Sequence, residues 1–193
     1  MANRDHKIIE FLKIIEKCKT IERRIYCSQV RRRESDAEHS WHLAMFLILF
    51  SQTFAAKYDI FKAVKIALIH DLAEIYAGDV FTFDLEGQKK QKPKEEKAAG
   101  KLFAKLPPDL AQEFSQLFRE YQNSSSPEAK LVKALDKIQP IMQNIVSDGK
   151  SWKEHHITLE QVDNLKKQYV EFDKDTLKIY NYILEEAKKK FLK

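Results

Sequence analysis

Between Asp59 and Gly78 the chain carries a helical apolar run with ionisable groups set into it, and this segment most restricts the folds open to it. The run reads Ile66-Ala67-Leu68-Ile69-His70-Asp71-Leu72-Ala73-Glu74. Burying such groups is costly unless they are neutralised, paired or bound to a cation. Asp59 supplies an N-cap and Gly78 a stop, so one helix is expected to about Ala77. On it Phe61, Val64, Leu68, Leu72 and Ile75 make a broad apolar face. Ala63, Ala67, His70 and Glu74 form an adjoining stripe, where the small alanines let another helix approach two polar side chains. Adjacent helical positions differ by about 100° in direction. His70 and Asp71 therefore border one point at the helix edge, and Glu74 faces the same region.

The rest of the chain is also written in helix signals. Asp5 to Cys18 is amphipathic, with Ile8, Ile9, Leu12 and Ile15 on its apolar side. A basic connection follows, ending in Arg31-Arg32-Arg33-Glu34. Ser35 and Glu38 make a capping box that starts a helix near Asp36, with His39 in its first turn. That helix is apolar almost all round to Phe50 and is expected to be buried. Asp84 to Lys94 is polar and lysine-rich, contains Gly87 and Pro93, and reads as a mobile surface loop. Further helices are expected at about 94–106, 109–121, 127–147, 158–170 and 173–191, with Thr158 and Gln161 as a second capping box.

Only four glycines and five prolines occur among 193 residues, a balance that favours helix over sheet. The length suits one domain, with no internal repeat and no linker that would divide it. The run Trp41 to Phe50 falls well short of the roughly 18 apolar residues of a membrane span, and the polar N-terminus is unlike a secretory signal. Cys18 and Cys27 lack CxxC spacing, which points to a reduced, cytoplasmic setting with both as packing residues. The net charge of +5 is spread along helix faces. It gives no specific sign of nucleic-acid binding.

A second imidazole is available at His39. A second carboxylate is available at Asp136, at the margin of a core face formed by Leu131, Leu135, Ile138, Met142 and Ile145. Pro140 four residues on removes the helical partner of the Asp136 carbonyl, so a kink is expected there. Two imidazoles and two carboxylates without thiolate suit Mn, Co, Fe, Ni, Zn or Mg, and the sequence does not choose among them. Positions left open on such an ion can take water and a phosphate oxygen, as hydrolysis requires.

The ordered set Ala37-Glu38-His39-Ser40, His70-Asp71-x-x-Glu74-x-x-x-Gly78-Asp79 and Ala134-Leu135-Asp136 resembles the HD-domain phosphohydrolases. Within them it is most similar to the 5′-deoxynucleotidase group, over about residues 8–150. The resemblance implies an all-α helical bundle with a buried metal site, in which His39, His70, Asp71 and Asp136 hold one divalent ion. It also implies hydrolysis of nucleoside 5′-monophosphates by a homodimer, with Glu74 and Asp79 beside the catalytic water or the sugar. Arg24 stands at the offset of a phosphate-contacting arginine. Ile25 replaces the aromatic residue that follows this arginine in the group, which leaves the preference for deoxyribose open.

Other readings have their own signatures. A guanosine tetraphosphate hydrolase would carry an acidic pair after His-Asp, whereas Glu74 is followed by Ile75, and the GYP segment of cyclic dinucleotide phosphodiesterases is absent. A non-catalytic helical module binding nucleic acid through the basic turn would show strong salt dependence and no metal requirement. Glu38 can be a cap or a catalytic group, His42 a partner of His39 or a core residue, and Arg31 to Arg33 an anion contact or a solvated turn. His155 and His156 read as loop residues.

Overall fold

The computed structural model describes residues 2–28 and 32–191. Arg31, one of the three arginines of the basic turn, lies outside them. The chain runs α1 (Ala2–Ile15), β1 (Glu22–Tyr26), β2 (Arg33–Ser35), α2 (Asp36–Leu49), α3 (Ser51–Phe54), α4 (Ile60–Ile69), α5 (Glu74–Ala77), α6 (Leu85–Phe103), α7 (Pro108–Asn123), α8 (Pro127–Val146), α9 (Lys150–Glu154), α10 (Leu159–Lys166) and α11 (Lys174–Phe191). Short 3-10 turns follow α1 and α10. The fold is helical, as expected, apart from one small antiparallel hairpin.

Helix α8 is the axis of the bundle. Leu131, Leu135, Ile138 and Ile141 on it are fully buried, and α2, α4, α7 and α11 pack around it. The helix continues through Pro140 to Val146, so the proline does not end it. The Ser35–Glu38 capping box is formed, and Asp59 caps α4 by accepting from the Lys62 N–H.

The apolar stripes fall elsewhere than periodicity alone implied. On α4 the alanine stripe faces the core: Ala63, Ile66 and Ala67 are fully buried, while Phe61 is 71% and Leu68 48% exposed. This is the face on which α2 and α8 pack against α4. On α1 Phe11 is the anchor, and Ile9 and Leu12 are exposed. Helix α2 is buried on one side only, with Trp41, Ile48 and Leu49 outside.

Two segments correct the sequence reading. Residues 85–94 are the first half of α6, not a loop. Asp84 caps the helix by accepting from the Gly87 N–H, and Pro93 is carried inside it. The basic connection before α2 is the β1–β2 hairpin, with Glu22 opposite Ser35 and Tyr26 opposite Arg33. In the first segment Gly87, Pro93 and the lysines suggest a loop, but packing against α5 and α7 makes it helix.

Candidate metal centre

Helix α4 ends where the chemistry begins. His70 is its C-cap, and the chain then tightens, with Leu72 N bonding to Ile69 O and Glu74 N to Asp71 O, before α5 resumes at Glu74. The expected continuous helix to Ala77 is thus interrupted at the His-Asp pair. These i to i−3 bonds change the angle between successive side chains. They turn both His70 and Asp71 toward α2 and α8.

His39 from the first turn of α2 and Asp136 from the middle of α8 meet them there. His39 Nε2 lies 3.0 Å from Asp136 Oδ1 and 3.9 Å from Asp71 Oδ2. His70 Nε2 lies 3.1 Å from Asp71 Oδ2 and 3.9 Å from Asp136 Oδ1. Ligand atoms of His39, His70 and Asp136 all fall within 4.8 Å of one another. Both imidazoles and Asp136 are buried.

The outer ring atoms fix how these imidazoles face the shared point. His70 Nδ1 lies 2.8 Å from the Ala67 carbonyl, which can only accept, so Nδ1 carries a proton and Nε2 is the nitrogen turned to the shared point. That buried Nε2 has no hydrogen-bond partner. His39 Nδ1 lies 3.0 Å from Gln139 Oε1, and the Gln139 amide N–H donates to Glu34 at 2.8 Å and lies 3.2 Å from His42 Nδ1. Such outer contacts orient histidines that bind metals. An unpartnered imidazole nitrogen beside two carboxylates is what a divalent cation would satisfy, so the residues present fit one.

The electrostatics agree. Burial opposes ionisation of Asp71, yet His70 and Arg23 hold its carboxyl well below the usual range. Burial likewise opposes ionisation of Asp136, which Lys137 and His39 hold ionised. Burial raises Glu74 well above the ordinary carboxylate range, helped by Asp71 and Asp36, and burial also raises Asp79. Asp36 is pushed up to about 7 by burial and by Asp71.

The cluster opens into a cavity of about 220 Å³ that Glu74, Asp79, Tyr121 and Lys137 also line. Tyr121 donates to Asp136 Oδ2 at 2.9 Å, and Lys137 Nζ lies 2.7 Å from the same oxygen. Asp79 follows Gly78, whose φ of 76° suits glycine. Helix α6 clamps this turn: Gln91 donates to Gly78 O at 2.6 Å and Gln88 to Val80 O at 2.8 Å. The segment misread as mobile is therefore a brace for the site.

Strand alternation separates the two arginines of β1. Arg23 and Ile25 face inward, and Arg24 is exposed. Arg23 Nη1 bonds to Asp71 Oδ2 at 2.8 Å and lies 3.7 Å from Asp36. Burial works against its charge, but Asp71, Asp79 and Glu74 push its pKa further up. Arg24 lines a smaller hollow of about 50 Å³ that shares Arg23, Asp79 and Lys166 with the main cavity. With no strand assigned to the basic connection, the sequence shows neither this alternation nor Arg23.

The other described candidates make their contacts away from the shared point. Glu38 completes the capping box and pairs with Arg32. Arg33 binds Glu154 at 2.8 Å and stacks on Tyr26. His42 contacts Gln139 rather than the shared point. His155 packs on Phe81 at 4.6 Å between ring centres, and His156 is exposed.

Comparison with known proteins agrees with this architecture. Residues 15–177 match the family described as HD domain, and the chain belongs to that family. A predicted metal-dependent phosphohydrolase from Magnetospirillum magnetotacticum superposes with a TM-score of 0.87 at 35% identity, covering 97% of each chain. The PH0347 protein from Pyrococcus horikoshii gives 0.65 at 26% identity, covering 92% of this chain and 99% of that one. In sequence the chain is 31% identical over 137 residues to the 5′-deoxynucleotidase HDDC2 of Homo sapiens, covering 70% of this chain and 66% of that protein. It is 30% identical over 147 residues to the 5′-deoxynucleotidase hdd1 of Schizosaccharomyces pombe, covering 74% and 73%. The chain spans about two thirds of the length of its mammalian relatives, 65% for the bovine protein.

Proposed function

We propose that the protein is a metal-dependent phosphomonoesterase that hydrolyses nucleoside 5′-monophosphates to nucleoside and phosphate. The observation that carries this is the convergence of two imidazoles and two carboxylates on one point that opens into a polar cavity. The names of the human and yeast relatives supply the substrate class.

His39, His70, Asp71 and Asp136 would hold one divalent ion. When bound, such an ion supplies electrophilic polarisation of a phosphoryl oxygen and acidifies water. The chain's own groups do the rest. Glu74 and Asp79, both shifted toward the protonated form, would orient the attacking water and pass a proton to the leaving oxygen. Arg24, whose charge bears on Asp79, would meet the phosphate from the rim. Arg23 would hold Asp71 in place. Tyr121 and Lys137 would fix the Asp136 carboxylate, leaving Oδ1 toward the imidazoles. Homodimerisation and a cytoplasmic location belong to the same proposal. No helix among the described residues is long and apolar enough to cross a membrane.

The test is a phosphatase assay over ribo- and deoxyribonucleoside monophosphates with added Mn, Co or Zn, a chelator control and elemental analysis. Phosphate release that a chelator abolishes and metal restores is expected. Chelator-insensitive release, or none with any nucleotide, overturns the reading. Gel filtration checks the dimer.

A further inference from the structure

Helix α10 carries a charge where its pattern calls for an apolar residue. Val162, one turn before Lys166 on α10, and Val170, just past the 3-10 turn that follows the helix, are fully buried, and Lys166 itself is 5% exposed. A lysine in the buried stripe of a helix is costly unless something compensates its charge. The only hydrogen bond of its ammonium among the described residues is to the Lys137 carbonyl, at 3.1 Å, and no carboxylate there lies within 4.0 Å. Lys133 is alike: its Nζ sits 3.5 Å from the Gln122 carbonyl and 4.5 Å from the centre of the Tyr121 ring, again with no carboxylate within 4.0 Å. Lys137, between them, is already paired with Asp136. All three line the same cavity as the candidate metal centre.

We propose that Lys133 and Lys166 form an anion subsite in this cavity, built to receive the non-bridging oxygens of a phosphate group. That the phosphate is the substrate's own rests on the nucleotidase reading above. Two ammonium groups, from α8 and α10, border the same space as Glu74 and Asp79 with no carboxylate among the described residues within 4.0 Å of either. A phosphate dianion there would relieve the burial of both and the repulsion that Lys137 exerts on each. Without it, burial and Lys137 press the ammonium of Lys166 down to about 7 and that of Lys133 to about 8. The subsite also gives α10, which sequence reading left without a role, a part in binding.

The probe is inorganic phosphate, titrated calorimetrically into metal-loaded parent protein and into K166M, K133M and K166R. Binding about tenfold weaker or more in each methionine variant is expected, the order of a lost hydrogen bond to a charged group. K166R should stay near the parent, and both methionine variants should keep cooperative melting and metal content. Phosphate affinity in folded K166M and K133M equal to the parent's overturns the proposal, as does a parent that binds no phosphate. Should the parent bind phosphate through these lysines yet hydrolyse no nucleotide, the subsite stands and the nucleotidase reading falls.

Discussion

The two walls of the cavity are built on different terms. The acidic wall, with His39, His70, Asp71 and Asp136, comes from α2, α4 and α8 in the heart of the bundle, and each charge there has a neighbour of opposite sign or an imidazole. The cationic wall at Lys133 and Lys166 has no carboxylate among the described residues within 4.0 Å. One wall is ordered before any ligand arrives, whereas the other is costly until one does. A site arranged this way keeps a fixed centre for chemistry and leaves its electrostatic deficit where an anion enters.

The strongest blow to that comparison should come from Asp71→Ala. It removes one carboxylate from the shared point and the hydrogen-bonding partner of Arg23. Losing charge stabilisation of about 4 kcal/mol would slow turnover about a thousandfold. The helical fold should persist by circular dichroism. An Asp71→Ala protein that still releases phosphate at the parent rate would remove the acidic wall from the chemistry.

Arg23→Gln asks what holds the acidic wall together. Arg23 sits among Asp71, Asp36 and Glu34, and removing one member of a buried pair costs about 3–5 kcal/mol. A fall of that order is expected in denaturant unfolding of metal-free protein. Added metal should recover part of the loss, because a bound cation also neutralises Asp71. A variant as stable as the parent would mean the cluster is already protonated or hydrated.

Asp36→Asn probes the same cluster from the side of excess negative charge. Burial and Asp71 raise the Asp36 carboxyl from 3.8 to about 7, so folding takes up a proton there. Stability from the neutral carboxyl is present at low pH, is lost as pH rises from 3.8 to about 7, and stays lost above that. Asparagine cannot ionise. It should stabilise metal-free protein by little at pH 4 and by at most about 4 kcal/mol at pH 8. Urea unfolding at both pH values reads the difference, and a gain independent of pH would place the charge penalty elsewhere.

The contrast between the walls also governs what could be read from the sequence. His70, Asp71 and Asp136 stand out because each interrupts an apolar helical run, and His39 follows a capping box that fixes its place in the first turn. Their burial is written in local pattern. Lys166 interrupts a pattern too, between Val162 and Val170, but in a chain with 34 lysines and arginines one more lysine on a helix reads as solvated. Arg23 was hidden for another reason: its inward aim depends on strand alternation in a hairpin pinned from outside. Gln143 donates to Tyr26 O at 2.8 Å and Ser151 to Arg24 O at 2.6 Å. Helix α6 was lost to the loop vocabulary of Gly87 and Pro93, although α5 and α7 pack against it.

Glu38→Ala should have the smallest effect, and it separates proximity from participation. Glu38 precedes a candidate metal ligand by one residue, yet its carboxylate accepts from the Ser35 N–H at 2.9 Å and pairs with Arg32 on the outside of α2. Arg32 holds its carboxyl down at about 2. The pair is solvent-screened, so the capping box dominates, and its loss should cost about 1 kcal/mol. Turnover and metal content should match the parent, because His39 is held independently through Gln139 on α8. A tenfold loss of activity with stability intact would mean that Glu38 reaches the cavity during the reaction, and the acidic wall would then extend along α2 beyond His39.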